Sequence, residues 1–247
     1  MNRFFLSENQ IHGTRVNFPP QIAHQMVHVL RLEEGDPVIV LDDQGYQYRV
    51  TISIDFEHKA VSGEIMQKEA VLTEPDTKIS LCFGLSNREK VEFILQKGTE
   101  LGISAFYPYI SSRTLVQSVS LSEKRMSRWE RIIREAAEQS QRGRLPILNQ
   151  AMMLETCCDQ VIPKHDLSLV AWEEMRPQTN VLHHVIGDTK GRSIALLVGP
   201  EGGYSEDEVH LLQKSGAIVI SLGKRILRME TAAIVFPAII LHELGEM

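Results

Sequence analysis

The chain has 247 residues, of which 43% are hydrophobic and 23% are charged, and its formal net charge is −6. This composition argues against a disordered chain and allows one large domain or two smaller ones. The longest apolar run, 231–241, has only 11 residues. A membrane span needs about 20, so we expect a soluble, cytoplasmic protein without a membrane partner.

The first 70 residues predict mostly β-structure. A short helical stretch, 20–31, precedes three strand candidates. The strands are predicted over 38–41, 46–54 and 59–66. Short strands at close spacing are typical of a small barrel or sandwich. The stretch 72–76 contains a proline and two acidic residues and indicates a linker, which divides the chain into domains 1–72 and 73–247.

After the linker the pattern changes to alternating strands and helices. Strands are predicted over 79–85, 105–110, 167–172, 194–198 and 217–222. Helices are predicted over 89–101, 122–141, 206–212 and 230–244, the last one bent or interrupted near Pro237. The repeated strand–helix units predict an α/β domain with a mostly parallel sheet.

Charge is distributed unevenly along the chain. Residues 86–144 carry a net charge of +4, whereas 1–72 carry −4 and 145–247 carry −5. A local basic patch can attract a polyanion even when the total charge is negative, because salt screens distant charges. A helix face that is merely solvated remains the alternative.

The strongest signal of a site is the glycine-rich loop 197–205 (LVGPEGGYS), which lies between a buried strand and a helix capped by Ser205. Ligands of α/β sheets bind outside the carboxyl ends of strands, and glycine lets the backbone approach them closely. The GxGxxG and GxxxxGK[ST] patterns are absent. A tight strand-to-helix connection without a ligand is the alternative.

A second candidate segment, 221–232 (SLGKRILRMETA), joins the last strand to the last helix. Two apolar residues, Ile226 and Leu227, lie among three cations. Such a loop can hold an aromatic ligand while its arginines reach an anion or a carbonyl edge. The residues 172–174 also follow a predicted strand and would line the same crevice. A solvated surface loop is the alternative.

Metal and thiol chemistry are not predicted. His24 and His28 have the spacing of some zinc ligands, but the HExxH glutamate is absent. The three cysteines form no CxxC pair, which argues against a disulfide framework and a cysteine-based zinc site.

Several motifs occur together in a fixed order. They are HQMVHVLR at 24–31, QKGTELG at 96–102, EAAEQSQR at 135–142, and the segments 198–205 and 222–232. Over nearly the whole chain, these motifs resemble the ribosomal RNA small subunit methyltransferase E family of the SPOUT superfamily. The resemblance implies an α/β C-terminal SPOUT domain with a deep trefoil knot over about 196–247 and an N-terminal PUA-like β-barrel that binds RNA. Knots are otherwise rare.

The resemblance also implies an activity. It implies a homodimer that transfers a methyl group from S-adenosyl-L-methionine to N3 of a specific uridine in 16S rRNA, acting on the assembled small ribosomal subunit. Three other functions remain open: a SPOUT methyltransferase of another RNA target, a nucleotide-dependent oxidoreductase, and a non-catalytic RNA-binding or assembly factor.

Roles for individual residues follow from the resemblance. The implied cofactor pocket contains Ala171, Trp172, Val198, Gly199, Pro200, Glu201, Gly202, Gly203, Ser221, Leu222, Gly223, Ile226, Leu227, Arg228 and Thr231. The implied RNA contacts are Arg3, His24, Arg31, Arg142 and Arg225. For the chemistry, we expect Arg228 over the uracil oxygens and either Glu201 or Glu230 as the acceptor of the N3 proton.

Overall fold

The computed structural model describes residues 1–55, 57–115, 118–175, 181–187 and 191–247. The chain divides into two compact units. Unit 1 comprises Met1–Glu74 and Ala137–Leu145, and unit 2 comprises Pro75–Ala136 and Pro146–Met247. Within the described residues, none of the helices has both the length and the apolar character that a membrane crossing requires.

Unit 1 contains one six-stranded sheet. Its elements are β1 (Arg3–Phe5), β2 (Ile11–His12), β3 (Arg15–Phe18), α1 (Pro20–His24), β4 (Pro37–Leu41), β5 (Tyr46–Asp55) and β6 (Ala60–Ala70). The strand order is β1-β4-β5-β6-β3-β2, and every pair except β1–β4 is antiparallel. The three strands predicted for this part of the chain are confirmed as β4, β5 and β6, whereas β1 to β3 were not predicted.

Two apolar clusters hold unit 1 together. Alternate residues of β4 and β5, such as Val40 and Val50, point into the larger cluster. The smaller cluster joins Phe5 and Leu41 to Ala137, and Leu145 packs against it. These contacts explain why the segment 137–145 belongs to unit 1 although it is distant in sequence.

Unit 2 is an α/β unit. Its elements are β7 (Lys78–Gly84), α2 (Arg88–Glu100), β8 (Ala105–Ile110), α3 (Glu123–Gln139), β9 (Ile147–Leu148), β10 (Met152–Met153), α4 (Leu154–Gln160), β11 (Leu167–Ala171), α5 (Val181–Ile186), β12 (Ser193–Val198), α6 (Glu206–Lys214), β13 (Ile218–Ile220) and α7 (Met229–Glu243). The last three residues of α3 are counted with unit 1. The sheet order is β10-β8-β7-β12-β11-β13, with β9 beside β8, and all pairs are parallel. The predicted parallel sheet is thus confirmed.

Helices cover both faces of this sheet. One apolar cluster contains residues of α2, α3 and α7, and the other contains residues of α4 and α6. The central strands β7 and β12 are therefore buried on both faces, which accounts for their continuous apolar sequences. Because the strands are parallel, the loops after β11, β12 and β13 emerge at the same edge of the sheet.

Two predicted elements differ from the structure. The predicted interruption of the last helix is wrong, since α7 continues from Met229 to Glu243 with Pro237 buried inside it. Proline removes one helical hydrogen bond, and the packing of α7 in the core offsets that loss. The predicted strand 217–222 is shorter, because Ser221 and Leu222 already belong to the following loop.

Candidate active site

Three loops at the carboxyl ends of neighbouring strands enclose a cavity of about 350 Å³. The parallel register places Ala171 of β11 beside Val198 of β12 and Ile220 of β13. The residues that follow these strand ends form most of the wall, and α7 and α2 complete it. The volume lies at the lower end of the roughly 300–1,000 Å³ found for small-molecule sites.

The residues predicted for the cofactor pocket meet at this cavity. All of them line it except Gly202 and Thr231. Glu173, from the predicted segment 172–174, lines it as well, and so does Arg225, which was expected to contact RNA. Three further lining residues were not predicted: Lys90, Met229 and Ala232.

The loop after β12 requires glycine for two separate reasons. Gly203 has a φ of +68°, a conformation that favours glycine, and a Cβ atom there would displace the Glu173 carboxylate from its position at the cavity. Its N–H donates to the Pro200 carbonyl at 2.9 Å, which closes a tight turn. Gly84 in β7 leaves room for this turn, because a Cβ atom there would lie 2.5 Å from Pro200 N.

Side chains of unit 2 hold the same loop from outside the cavity. Arg113 Nη1 donates to the carbonyl oxygens of Gly202 and Tyr204, each at 3.1 Å. The predicted capping box is confirmed, since Ser205 and Glu208 exchange hydrogen bonds at the start of α6. These contacts hold the part of the loop that leads into α6.

A lysine and two carboxylates form the most polar part of the site. Lys90 Nζ donates to Glu201 Oε1 at 2.9 Å and lies 3.8 Å from Glu230 Oε2. Ser86 Oγ also donates to Glu201 Oε1. Burial alone would raise the pKa of Glu201, but the hydrogen bonds from Ser86 and Lys90 outweigh it, so that this pKa lies below its ordinary value. The bond to Glu201 raises the pKa of Lys90.

Glu230 occupies a different position from Glu201. It lies in the first turn of α7 and is not among the lining residues of the cavity. Its Oε2 atom is buried and accepts no hydrogen bond from any part of the chain that the structure describes. Of the two carboxylates near Lys90, Glu201 lines the cavity and Glu230 does not.

The loop after β13 supplies cations and an apolar surface. Arg225 and Arg228 are exposed and line the cavity. Ile226, between them, is 83% exposed, although it lines the same cavity. This combination is suited to a planar ligand that carries carbonyl oxygens or a phosphate.

The residues expected to contact RNA in unit 1 have different surroundings. Arg3 donates to Gln47 Oε1, and burial lowers the pKa of its guanidinium. His24 and Arg31 are both exposed. The structure differs from the expectation at Arg142, which is 4% exposed and pairs with Glu74 at 2.8 Å. An Arg142 guanidinium committed to a buried ion pair does not present itself to RNA.

The described residues include no group of side chains that is arranged to bind a metal ion. In the parts of the chain that the structure describes, no three His, Cys, Asp or Glu side chains gather as metal ligands would.

Comparisons with known proteins identify the family. The family model for the RNA methyltransferase domain matches residues 73–241. The ribosomal RNA small subunit methyltransferase E of Bacillus subtilis is 33% identical over 239 residues, which cover 94% of this chain and 93% of that protein. That of Synechocystis is 31% identical over 231 residues, covering 93% of this chain and 74% of that protein.

Solved structures agree with the sequence relatives. The ribosomal RNA small subunit methyltransferase E of Neisseria gonorrhoeae, bound to S-adenosylmethionine, is 30% identical with a TM-score of 0.85, covering 98% of this chain and 97% of that one. A Legionella pneumophila methyltransferase in complex with the same cofactor is 27% identical with a TM-score of 0.85, covering 97% and 96%. The chain therefore belongs to the ribosomal RNA small subunit methyltransferase E family.

Proposed function

We propose that this protein transfers a methyl group from S-adenosylmethionine to N3 of a specific uridine in 16S rRNA, and that it acts on the assembled small ribosomal subunit. The observation that carries the proposal is the cavity where the loops after β11, β12 and β13 meet. Relatives of the same fold whose structures contain S-adenosylmethionine support the cofactor. The names of the sequence relatives support RNA of the small subunit as the substrate.

The proposal includes an architecture. Residues 1–72 form a PUA-like β-barrel that binds RNA, and 73–247 form a SPOUT methyltransferase domain with a deep trefoil knot over about 196–247. The largely antiparallel sheet of unit 1 and the parallel sheet of unit 2 support this assignment. The protein acts as a homodimer in the cytoplasm, together with its ribosomal substrate.

The cavity fits the cofactor in size and chemistry. Trp172, Leu222 and Leu227 supply apolar wall for an adenine ring, and the backbone of 198–203 supplies polar groups close to the ligand. Gly203 in this loop and Gly223 in the loop after β13 have φ of +68° and +118°, conformations that favour glycine. Gly202 supports the loop through Arg113, and Thr231 lies in the first turn of α7, just outside the wall.

When bound, S-adenosylmethionine supplies a methyl group on a sulfonium, and the sulfur keeps the electron pair of the broken bond as N3 of uracil takes the methyl. The N3 proton must leave in the same reaction. Glu201 is placed to accept it, because Ser86 and Lys90 both bind Oε1. Among the described residues, no side chain donates a hydrogen bond to the other carboxylate oxygen, Oε2. A carboxylate held by one oxygen can take a proton on the other.

Other residues complete the proposed reaction. Glu230 is the second candidate for the proton acceptor, directly or through a water molecule. Arg228, which lines the cavity, is placed to stabilise the negative charge that develops on the uracil oxygens. Arg225 then binds an RNA phosphate. In unit 1, Arg3, His24 and Arg31 provide the RNA contacts.

Methyl transfer from labelled S-adenosylmethionine tests the proposed substrate. The acceptors are small ribosomal subunits that lack the modification, free 16S rRNA, and bulk tRNA. We expect label in the subunits above that in free 16S rRNA, and none in tRNA. Label only in tRNA would support a different RNA target. Binding of S-adenosylmethionine without transfer to any acceptor, or no binding at all, would contradict the proposal, and the latter would favour a non-catalytic assembly factor.

The variant Glu201→Gln tests the proposed proton acceptor. It keeps the shape of the side chain and one oxygen that can accept from Ser86 and Lys90, but removes its charge and its basicity. We expect unchanged binding of S-adenosylhomocysteine and a turnover about 10²–10⁴-fold lower. The control is Glu89→Gln, an exposed position in the first turn of α2. If Glu201→Gln loses binding in parallel with turnover, Glu201 belongs to the cofactor site instead.

A further inference from the structure

One ammonium group connects three separate segments of unit 2 at the cavity wall. Lys90 lies in the first turn of α2, Glu201 follows β12, and Glu230 lies in the first turn of α7. Lys90 Nζ lies 2.9 Å from Glu201 Oε1 and 3.8 Å from Glu230 Oε2. The Lys90 side chain is only 28% exposed, so water screens these contacts less than it would on an open surface.

The start of α2 is built to hold this lysine in place. Asn87 caps the helix, and its side chain accepts a hydrogen bond from Lys90 N at 3.1 Å. Ser86, one residue earlier, donates to the same oxygen of Glu201 that Lys90 contacts. A short segment, 86–90, therefore supplies both side-chain donors that fix Glu201.

We propose that Lys90 is a positioning residue for methyl transfer, which holds the Glu201 carboxylate in a fixed orientation at the cavity and uses Glu230 as a second anchor. The inference rests on the proposed function for its chemistry, but the contact between Lys90 and Glu201 can be tested without it. Lys90 acts through Glu201 and does not itself take the N3 proton, because its bond to Glu201 favours its charged form.

Lys90 places a positive charge close to two carboxylates, those of Glu201 and Glu230. Three other charged residues line the same cavity, namely Glu173 from the loop after β11 and Arg225 and Arg228 from the loop after β13, and Glu230 of α7 lies 3.8 Å from Lys90 Nζ. Without Lys90, Glu201 would lose one of the two side-chain donors that bind its Oε1 atom, together with the cation nearest to it. The loss of a hydrogen bond and of an adjacent cation favours the protonated form of a carboxylate, and the freed side chain would sample other rotamers.

The first experiment follows the ionisation of Glu201 by NMR. Carboxyl-labelled ¹³C-glutamate is incorporated, and the Glu201 signal is identified by its absence in Glu201→Gln. We expect Lys90→Met to raise the titration midpoint of Glu201 by about one pH unit. Lys90→Arg keeps the charge and leaves the midpoint close to that of the wild type. An unmoved midpoint in Lys90→Met would overturn the proposal.

The second experiment is a double-mutant cycle on single-turnover methylation of small subunits. We expect Lys90→Met to lower the rate at least tenfold, Lys90→Arg to restore most of it, and the affinity for S-adenosylhomocysteine to stay within threefold. In the Glu201→Gln background, Lys90→Met should cost nothing more, because the residue acts through Glu201. An equal loss in both backgrounds would overturn the positioning role.

The two experiments separate this inference from the proposed function. If the wild type methylates no RNA, the proposed function fails, and the NMR titration still decides whether Lys90 controls Glu201. If the wild type methylates RNA and Lys90→Met behaves like the wild type in both experiments, only the role of Lys90 fails.

Discussion

Tyr109 Oη lies 2.5 Å from Tyr204 Oη and donates to the Val198 carbonyl oxygen at 2.7 Å. Because the Tyr109 hydrogen points to Val198, Tyr204 must donate to Tyr109. Both rings are buried and stack with their centroids 6.5 Å apart. These two hydrogen bonds connect β8 to Val198, at the end of β12, and to Tyr204, in the loop after β12.

The direction of these two hydrogen bonds predicts an unequal response to the loss of each hydroxyl. Tyr204→Phe removes only the terminal donor, so the free energy of unfolding should fall by about 0.5–1.5 kcal/mol. Tyr109→Phe also leaves the Tyr204 hydroxyl buried without its acceptor and should cost about 1–3 kcal/mol. Urea unfolding of both variants measures this difference. A larger loss for Tyr204→Phe would contradict the assigned direction.

Gly203 should be required for cofactor binding and not only for folding. In Gly203→Ala, the new methyl group displaces the carboxylate of Glu173, which lines the cavity, and strains the turn at a φ of +68°, so we expect the affinity for S-adenosylhomocysteine to fall at least tenfold. Gly216→Ala is the matched control. Gly216 also has a positive φ, +99°, but a Cβ atom there meets nothing within 4 Å. Both variants should lose about 1–2 kcal/mol of stability, and calorimetry should show weakened binding only in Gly203→Ala.

The ion pair between Glu92 of α2 and Arg128 of α3 should make the stability of the protein depend on pH. Hydrogen bonds from Arg128, and then from Arg88, lower the pKa of Glu92 from 4.5 to about 2. A carboxyl with a lowered pKa in the folded state stabilises the protein above its unfolded pKa, and this stability is lost as the pH falls from about 4.5 towards 2. Because the pair is partly exposed, Glu92→Gln should cost only about 1 kcal/mol at pH 7.

Urea unfolding at pH 7, 4 and 3 tests this prediction. The difference between the wild type and Glu92→Gln should shrink as the pH falls. The control is Glu135→Gln, which breaks a pair with Arg131 whose side chains are 63% and 65% exposed, and it should change the stability very little. A Glu92→Gln difference that stays constant over this pH range would contradict the assignment.

Arg142 and Arg31 should affect different properties. Arg142 has a side chain that is 5% exposed and pairs with Glu74, so Arg142→Met should lower the free energy of unfolding by about 3–5 kcal/mol. Arg31→Ala, at an exposed position, should leave stability nearly unchanged. If Arg31 contacts a phosphate, Arg31→Ala should reduce the slope of the logarithm of the rRNA binding constant against the logarithm of the salt concentration by about one. The opposite pattern would restore Arg142 as an RNA contact.

Local sequence patterns predicted the elements that depend on neighbouring residues. The capping box of Ser205 and Glu208 located the start of α6, and the apolar run at 105–110 located β8 with the bounds observed in the structure. The two site loops were predicted because each follows a buried strand. In a parallel sheet, such loops meet at one edge, so the place of the cavity followed from the order of strands and helices, whereas the individual pocket residues were implied by the family resemblance.

Features that depend on distant contacts were missed. Lys90 was missed because only the positions of the loop after β12 and of α7 bring it to Glu201 and Glu230. Its sequence neighbours gave one weak signal, the capping residue Asn87. Arg142 was expected to contact RNA because the family resemblance implied it, and its partner Glu74 is 68 residues away in the sequence. Helical periodicity likewise could not show that the end of α3 belongs to unit 1.

The most direct test of the central claim is nucleoside analysis of the methylated RNA. Small subunits that lack the modification are incubated with the protein and S-adenosylmethionine, and their 16S rRNA is digested and examined by mass spectrometry. The proposed function predicts one new nucleoside, 3-methyluridine, at one position, and no product with Glu201→Gln. A methyl group on a ribose, on another base, or at several positions would contradict transfer to N3 of a specific uridine.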